Sequence, residues 1–339
     1  MANIAINGFG RIGRLFLQHT LQEEGINVVA INDLGDVENL AYLLKYDTIY
    51  GRFLGDVSLV DKFLVVNGKK ILFLQEKDPT KLPWKDLNVD IVVESTGVFE
   101  SYEKAKVHLD AGAKKVVITA PAKDADGTFG GKTVLVGVNE NDAKGVSLTS
   151  NASCTTNAVS PVIQIMMENP GIEKAILNTV HAYTGTQSIV DSPTKGKDYR
   201  RGRAASQNIS PSTTGAAIAV TRVIRELEGK FDGIAIRVPV PTGSLADITF
   251  IAKRDTSVEE VNNIFKKAAE DPRWKSILKV SEEQLVSSDI INEPYAAIVD
   301  LGFTKVVGGN LVKVLVWYDN EAGYVSTLVK HVLRVASFL

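Results

Sequence analysis

Cys154 is the sole cysteine among 339 residues. It stands in the run Asn151-Ala152-Ser153-Cys154-Thr155-Thr156-Asn157, ahead of an apolar stretch over 158–167 that reads as helical. A thiol at a helix N-terminus is expected to ionise more easily than the ordinary cysteine near ~8.5, because the helix dipole favours the thiolate. The hydroxyls of Ser153 and Thr155 are polar company for such a group. The competing reading is a buried structural thiol, which behaves as a small apolar side chain. A nucleophilic thiol needs a base beside it. Of the four histidines, His19, His108 and His331 fall in helical patterns. His181 instead ends an apolar strand just before Tyr183-Thr184-Gly185, so it is the candidate base.

A second constellation lies at the N-terminus. Gly8-Phe9-Gly10-Arg11-Ile12-Gly13 follows an apolar strand and opens a helix, the context that a dinucleotide fingerprint requires. Gly8 permits the tight turn, Gly10 lets backbone approach a pyrophosphate, and Gly13 allows close helix–strand packing. The helix start offers N–H groups and a positive dipole end to the anion. Asp33 ends the next strand, where a carboxylate accepts from a ribose diol and repels a 2′-phosphate. Leu34 supplies no cation for that phosphate. The pattern favours NAD over NADP.

Composition narrows the classes. Net charge is −2, so no global field draws the chain to nucleic acid or anionic lipid. No apolar stretch approaches the ~20 residues of a membrane span. No leader-like segment is apparent at the N-terminus, and a cytoplasmic protein is expected. One cysteine and scattered histidines give no metal-ligand spacing, so no metal site is expected.

These groups need elements to hold them. Strands are expected over 3–7, 28–32, 90–94, 116–119 and 134–136, with helices over 11–24, 37–45 and 102–111. That alternation predicts a doubly wound parallel sheet. Residues 57–59, 63–66 and 71–74, with Asn67-Gly68 as a turn, predict an antiparallel insertion. In the second half, strands over 175–183, 233–240, 246–253 and 311–318 fit a mostly antiparallel or mixed sheet. Helices are expected over 213–226, 258–269 and 321–337. The fold class is α/β, a Rossmann domain joined to an α+β domain. Between 185 and 207 runs a long polar loop, a feature that is usually functional or disordered.

These motifs together resemble phosphorylating glyceraldehyde-3-phosphate dehydrogenase over essentially the full length. The carrying residues are Ile6 to Arg14, Ile31-Asn32-Asp33-Leu34, Glu94-Ser95-Thr96-Gly97-Val98-Phe99, Ser150 to Asn157, His181-Ala182-Tyr183-Thr184, Arg237-Val238-Pro239-Val240-Pro241 and Trp317-Tyr318-Asp319-Asn320-Glu321. The resemblance implies that Cys154 attacks an aldehyde and His181 activates it, through a hemithioacetal and a thioester that inorganic phosphate cleaves. It implies glyceraldehyde 3-phosphate as substrate and NAD as cofactor. Gly8 to Gly13, Asp33, Leu34, Lys77, Thr96, Gly97, Thr119, Asn320 and Tyr324 would contact that cofactor. Thr184 and Arg237 would hold the substrate phosphate. Ser153, Thr155, Thr214 and Gly215 would hold the attacking phosphate, and Arg201 would serve these anions. Lys195, Lys197, Arg200 and Arg203 are read as a solvated loop face. The implied domains are 1–153 with 319–339, which bind NAD, and 154–318, which is catalytic. A homotetramer is implied as well.

The pattern departs at four places. Ala322 and Ala158 stand where an aromatic and a second cysteine are frequent, Lys77 where an arginine is frequent, and Ser192 near a position where NADP-using members carry serine. Ser192 therefore pulls against Asp33 on cofactor choice. An erythrose-4-phosphate dehydrogenase is the near alternative. It uses water as acceptor, whereas Ser212-Thr213-Thr214-Gly215 looks built for phosphate. An aspartate-semialdehyde-type reductase would not need this motif set, and a non-catalytic relative would not need Cys154 and His181.

Overall fold

The computed structural model describes residues 1–194 and 196–339. The chain forms two compact units, Met1–Ser153 with Leu328–Leu339, and Cys154–Thr327.

In the first unit, β1 (Ala2–Asn7), α1 (Arg11–Thr20), β2 (Ile26–Asn32) and α2 (Val37–Lys45) alternate as the sequence predicts. Two short strands, β3 (Tyr46–Asp47) and β4 (Gly51–Arg52), pair with each other. Then come β5 (Val57–Val60), β6 (Phe63–Val66), β7 (Lys69–Leu74) and β8 (Ile91–Glu94). Two single helical turns follow, α3 (Tyr102–Ala105) and α4 (Val107–Asp110), and then β9 (Lys115–Ile118), β10 (Lys132–Thr133) and β11 (Leu148–Ser150). The sheet order is β10-β11-β9-β8-β1-β2-β7-β6-β5. It is parallel from β10 to β7, and β6 and β5 add antiparallel hairpins. Asn67 and Gly68 both take positive φ, 49° and 78°, which is the hairpin turn that their types favour. The chain winds both ways from β1, so its C-terminal end is the switch point where doubly wound sheets bind ligands.

Three expectations shift here. The first helix stops at Thr20, whose hydroxyl turns back onto the Phe16 and Leu17 carbonyls. The helix over 102–111 breaks at Lys106 into two turns. The strand near 134–136 lies at Lys132–Thr133, because Leu135 N–H is taken by the Asn139 side chain in a turn. The core gathers Ala5, Ala30, Val92, Val116 and Leu148 around Trp84 and Tyr102.

The second unit opens with α5 (Cys154–Glu168) and continues through β12 (Ile172–Ala182), β13 (Ser210–Thr213), α6 (Ala216–Val223), β14 (Phe231–Val238) and β15 (Ser244–Ala252). Next are α7 (Val258–Glu270), β16 (Leu278–Ser281), β17 (Ala297–Val307), β18 (Leu311–Tyr318) and α8 (Ala322–Ala336), whose residues from Leu328 onward belong to the first unit. The strand order is β13-β14-β12-β15-β18-β17-β16. Pairing is antiparallel except for β12 with β14 and β16 with β17. Residue burial alternates strictly along β15, so one face of the sheet is covered and the other is open. α5 packs on β12, β15, β17 and β18. It is buried nearly all round its first three turns, as an apolar central helix should be.

The helix expected over 213–226 is corrected. Residues 210–213 form an edge strand, and the helix spans only Ala216–Val223. Pro211 has no N–H to give a ladder, which suits an edge strand and hides it from periodicity. β16 and β17 were not expected at all.

Candidate active site

The start of α5 and the C-terminal ends of β12, β14 and β18 meet in the second unit. β12 and β14 run parallel with His181 opposite Arg237. β15 and β18 pair Ser244 with Tyr318. Strand period then fixes the faces: Thr179 and His181 both turn toward the buried side.

Cys154 Sγ lies 3.4 Å from His181 Nε2 and 4.0 Å from Thr155 Oγ1. Cys154 keeps some exposed surface, yet protein atoms crowd its sulfur. Burial pushes the thiol up from its ordinary value, against the charge of Arg237 and hydrogen bonds at Thr155. This corrects the expectation of an easily ionised thiol: desolvation outweighs the helix start. His181 is pushed down to about 3, first by burial and then by Arg237. At neutral pH the imidazole is therefore neutral and can accept a proton.

Two groups compete for Nδ1 of His181. The Ala182 carbonyl oxygen lies 2.6 Å from it, and Arg237 Nη1 lies 2.6 Å from it. Arg237 Nη1 also donates to that carbonyl at 3.0 Å. The carbonyl only accepts and the guanidinium only donates, so the contacts ask for opposite states of Nδ1. With the Nδ1 proton on Ala182 O, Nε2 presents its lone pair to the thiol.

Behind the pair, the Tyr318 hydroxyl bridges Thr155 Oγ1 at 2.9 Å and Thr179 Oγ1 at 2.7 Å. The Tyr318 ring meets the His181 ring edge-on at 6.0 Å between centroids. Burial raises the Tyr318 hydroxyl above its ordinary value, so it stays protonated. Thr155 is thus buried with its hydroxyl on Tyr318. Ser244 Oγ accepts from Ala182 N at 3.1 Å and donates to Asn320 Oδ1 at 2.8 Å. Thr242 donates to the same oxygen at 3.3 Å. Tyr324 is buried.

Of the expected anion groups, Thr184 and Arg201 are joined by hydrogen bonds. Thr184 Oγ1 is 3.0 Å from Thr186 Oγ1, which accepts from Arg201 Nη1 at 3.0 Å. Arg201 Nη2 donates to Ser212 Oγ at 3.3 Å, two residues before Thr214. Thr214 Oγ1 accepts from Ala216 N at 3.2 Å, and Gly215 caps α6 with no side-chain acceptor on its first turn. The Arg201 charge disfavours that of Arg237, while Arg201 itself pairs with Asp198 at 3.5 Å. Two guanidinium groups in mutual reach suit an anion. Arg200 pairs with Asp198 and Arg203 with Asp191, both exposed, as the solvated reading holds. Lys195 lies outside the described residues.

In the first unit, the glycine turn at the end of β1 fits a dinucleotide. A Cβ on Gly8 would meet the Ser95 carbonyl carbon at 2.6 Å, and one on Gly13 would meet the Gly8 oxygen at 2.1 Å. Only glycine allows those approaches, while Gly10 faces open space. No side chain caps α1. Asp33 accepts from Phe9 N at 2.6 Å and Gly35 N at 2.7 Å, which holds its carboxylate at the tip of β2. Each oxygen keeps a lone pair for a ribose hydroxyl. Leu34 is exposed, whereas the Phe9 side chain is fully buried against Phe73. Arg11 pairs with Asp47 at 3.0 Å, beside an only half-buried Ile12. Thr96 bonds Glu94, Gly97 takes φ 70°, and Thr119 Oγ1 donates to Glu94 O at 3.1 Å. Lys77 is exposed in the loop after β7, and Ser153 ends the unit.

Residues 153–320 match the family described as glyceraldehyde 3-phosphate dehydrogenase, C-terminal domain, and residues 2–102 match its NAD binding domain. The chain is 51% identical over 332 residues to glyceraldehyde-3-phosphate dehydrogenase of Thermotoga maritima, covering 97% of each. It is 49% identical over 329 residues to that of Streptomyces coelicolor, covering 96% of each.

The chain belongs to the glyceraldehyde-3-phosphate dehydrogenase family.

Within that family it is an NAD-dependent oxidoreductase, and the crevice at the end of β1 belongs to the NAD-binding domain. Tyr318, Ser244 and Glu94 were not singled out from the sequence. Tyr318 and Glu94 stand inside the family motifs, so the signal was present. Ser244 carries none, whereas Ser212 stands in the run read as built for phosphate.

Proposed function

We propose that the protein oxidises glyceraldehyde 3-phosphate to 1,3-bisphosphoglycerate, reducing NAD and consuming inorganic phosphate. The observation that carries this is Cys154 Sγ at 3.4 Å from His181 Nε2, beside Arg237. Thr184 and Arg237 hold the C3 phosphate, with Arg201 nearby. Cys154 Sγ bonds to the aldehyde carbon while its proton passes to His181 Nε2. His181 and the Cys154 backbone N–H then hold the hemithioacetal oxygen. NAD, when bound, supplies the hydride acceptor. Asn320 Oδ1 is already engaged by Ser244, which leaves Nδ2 to orient the carboxamide, with Tyr324 near the ring. The resulting thioester is attacked by phosphate held through Ser153, Thr155, Thr214 and Gly215. The C–S bond breaks and the thiolate returns.

In this reading, 1–153 with 319–339 binds NAD and 154–318 carries the chemistry. Gly8 to Gly13, Asp33, Leu34, Lys77, Thr96, Gly97 and Thr119 serve the cofactor. We place the protein in the cytoplasm; no helix among the described residues is long and apolar enough to cross a membrane. A homotetramer is supported by apolar residues on the open sheet face, including Ile176, Ile234 and Leu311, around a depression that Ile251 and Phe231 line.

The test is NADH formation from glyceraldehyde 3-phosphate with and without phosphate, repeated with NADP. Turnover should need phosphate and prefer NAD, and Cys154→Ser should lose about three orders of magnitude or more. Phosphate-independent turnover would favour an erythrose-4-phosphate dehydrogenase, and an active Cys154→Ser would sink the mechanism.

A further inference from the structure

Glu94 closes β8 and is buried to 2% exposure, with no lysine or arginine among the described residues paired to it. Four donors meet its two oxygens. Oε2 accepts from Asn7 Nδ2 at 2.6 Å and faces His108 Nε2 at 3.0 Å. Oε1 accepts from Thr96 N at 2.9 Å and Thr96 Oγ1 at 2.5 Å. Thr96 Oγ1 itself accepts from Val98 N at 3.0 Å, which fixes its proton on the Glu94 side.

The network reaches every loop at the crevice. Asn7 ends β1, directly before Gly8. Its Oδ1 accepts from Asn32 Nδ2 at 2.8 Å, at the end of β2. Asn32 in turn exchanges bonds with the Glu76 backbone, donating at 3.0 Å and accepting at 2.9 Å. Glu76 precedes Lys77. Ser95 Oγ donates to Gly8 O at 2.7 Å. The glycine turn, the Asp33 segment, the Lys77 loop and the Thr96-Gly97 segment are thus tied to one carboxylate.

The proton on His108 is set from the far side. Trp84 Nε1 is 3.2 Å from His108 Nδ1. An indole N–H only donates, so Nδ1 accepts, and the neutral ring must carry its proton on Nε2, facing Glu94. His108 is fully buried in this position.

We infer that Glu94 is a positioning residue for NAD, whose carboxylate, with the Trp84–His108 relay behind it, holds the Thr96-Gly97 segment and the glycine turn in the cofactor-ready arrangement. It touches no reacting atom. The inference rests on the NAD-binding assignment of the first unit and not on the proposed acyl chemistry.

An amide at this position can accept on one side only. If its oxygen keeps Thr96, its NH₂ meets two further donors, Asn7 Nδ2 and His108 Nε2–H. Asn7 cannot flip, because Asn32 and Glu76 fix its oxygen. His108 can move its proton to Nδ1 only if the Trp84 donor is gone.

The test is NAD binding by calorimetry in the full chain, with steady-state kinetics and the rate of Cys154 alkylation without NAD. Glu94→Gln should weaken NAD at least tenfold and raise its KM alike, with kcat at saturating NAD within threefold and alkylation unchanged. In a Trp84→Phe background, the same Glu94→Gln change should cost less than threefold, since His108 can then accept from the amide. Should Glu94→Gln not fold, Glu94→Asp gives the second reading: a retracted carboxylate weakens NAD more than threefold. NAD affinity within twofold of the native protein in either folded variant overturns the inference. So does a Glu94→Gln loss that Trp84→Phe leaves intact, or one that slows Cys154 alkylation equally.

Discussion

Arg237 Nη1 lies 2.6 Å from Nδ1 of His181. Its charge disfavours a proton on the imidazole, and in the proposed mechanism it also holds an anion while that imidazole acts as base to Cys154.

Replacing Arg237 with glutamine should move the acid side of the pH profile. His181 rests at about 3 because of burial first and Arg237 second, so removing the charge raises it part of the way toward 6.5. A base works only unprotonated, so its loss on acidification begins at higher pH. The acid limb of kcat/KM for the aldehyde, followed by NADH absorbance, should shift upward, with a KM increase of about tenfold or more for a lost charged contact. An unmoved acid limb would separate Arg237 from His181.

Tyr318→Phe removes the hydroxyl that joins Thr155 to Thr179. Thr155 loses that hydrogen bond and Thr179 keeps only the Leu245 carbonyl at 3.4 Å, so stability should drop by about 1–3 kcal/mol. Because Thr155 follows Cys154 in the first turn of α5, kcat should fall too, by less than the tenfold that ~1.4 kcal/mol represents. Denaturant unfolding and initial rates measure both. A variant as stable as the native protein would refute the bridge.

His331 offers a stability test away from catalysis. It is buried between Asn151 and Thr149, and burial lowers it to about 3. Below the ordinary 6.5 the unfolded chain binds a proton that the native state refuses. Stability is therefore whole above 6.5 and is lost as pH falls toward 3. Between pH 7 and 5 this histidine should remove about 2 kcal/mol. His331→Gln lacks that loss, so the native protein should weaken by that much more than the variant in denaturant titrations without NAD. Parallel slopes would contradict the assignment.

Asp33→Ala should shift cofactor choice. The carboxylate is held by Phe9 N and Gly35 N at the end of β2. Losing hydrogen bonds to a charged group costs about 1.5–3 kcal/mol, or roughly ten- to a hundredfold in NAD affinity. NADP should lose less, because the repulsion goes as well. A preference ratio that stays constant would point to Ser192 as the discriminating residue.

Ile234→Asp tests self-association. Ile234 is 52% exposed on the open sheet face of the second unit. Light scattering after size exclusion should give four chains for the native protein and fewer for the variant. A native protein running as one chain would remove the proposal.

The glycine turn, Asp33 and the strand–helix alternation were legible because each is local. A turn between β1 and α1 needs only adjacent residues, and period separates strand from helix. β13 was misread because Pro211 and the small residues around it show no period. β17 was missed because its first five residues are all buried and Gly302 and Phe303 are exposed as neighbours, so no period of two runs through it.

Residue types and spacing by themselves singled out the dinucleotide turn, Cys154 and His181. Only the tertiary structure decided what environment those groups meet. Tyr318 reaches Thr155 across 163 positions of sequence, through strand registers that no local pattern encodes. The thiol shows the same limit. Its place at a helix start is local and predicts easier ionisation, but desolvation sums over every neighbour packed around the sulfur. That burial outweighs both the helix start and the charge of Arg237, and the thiol is pushed up.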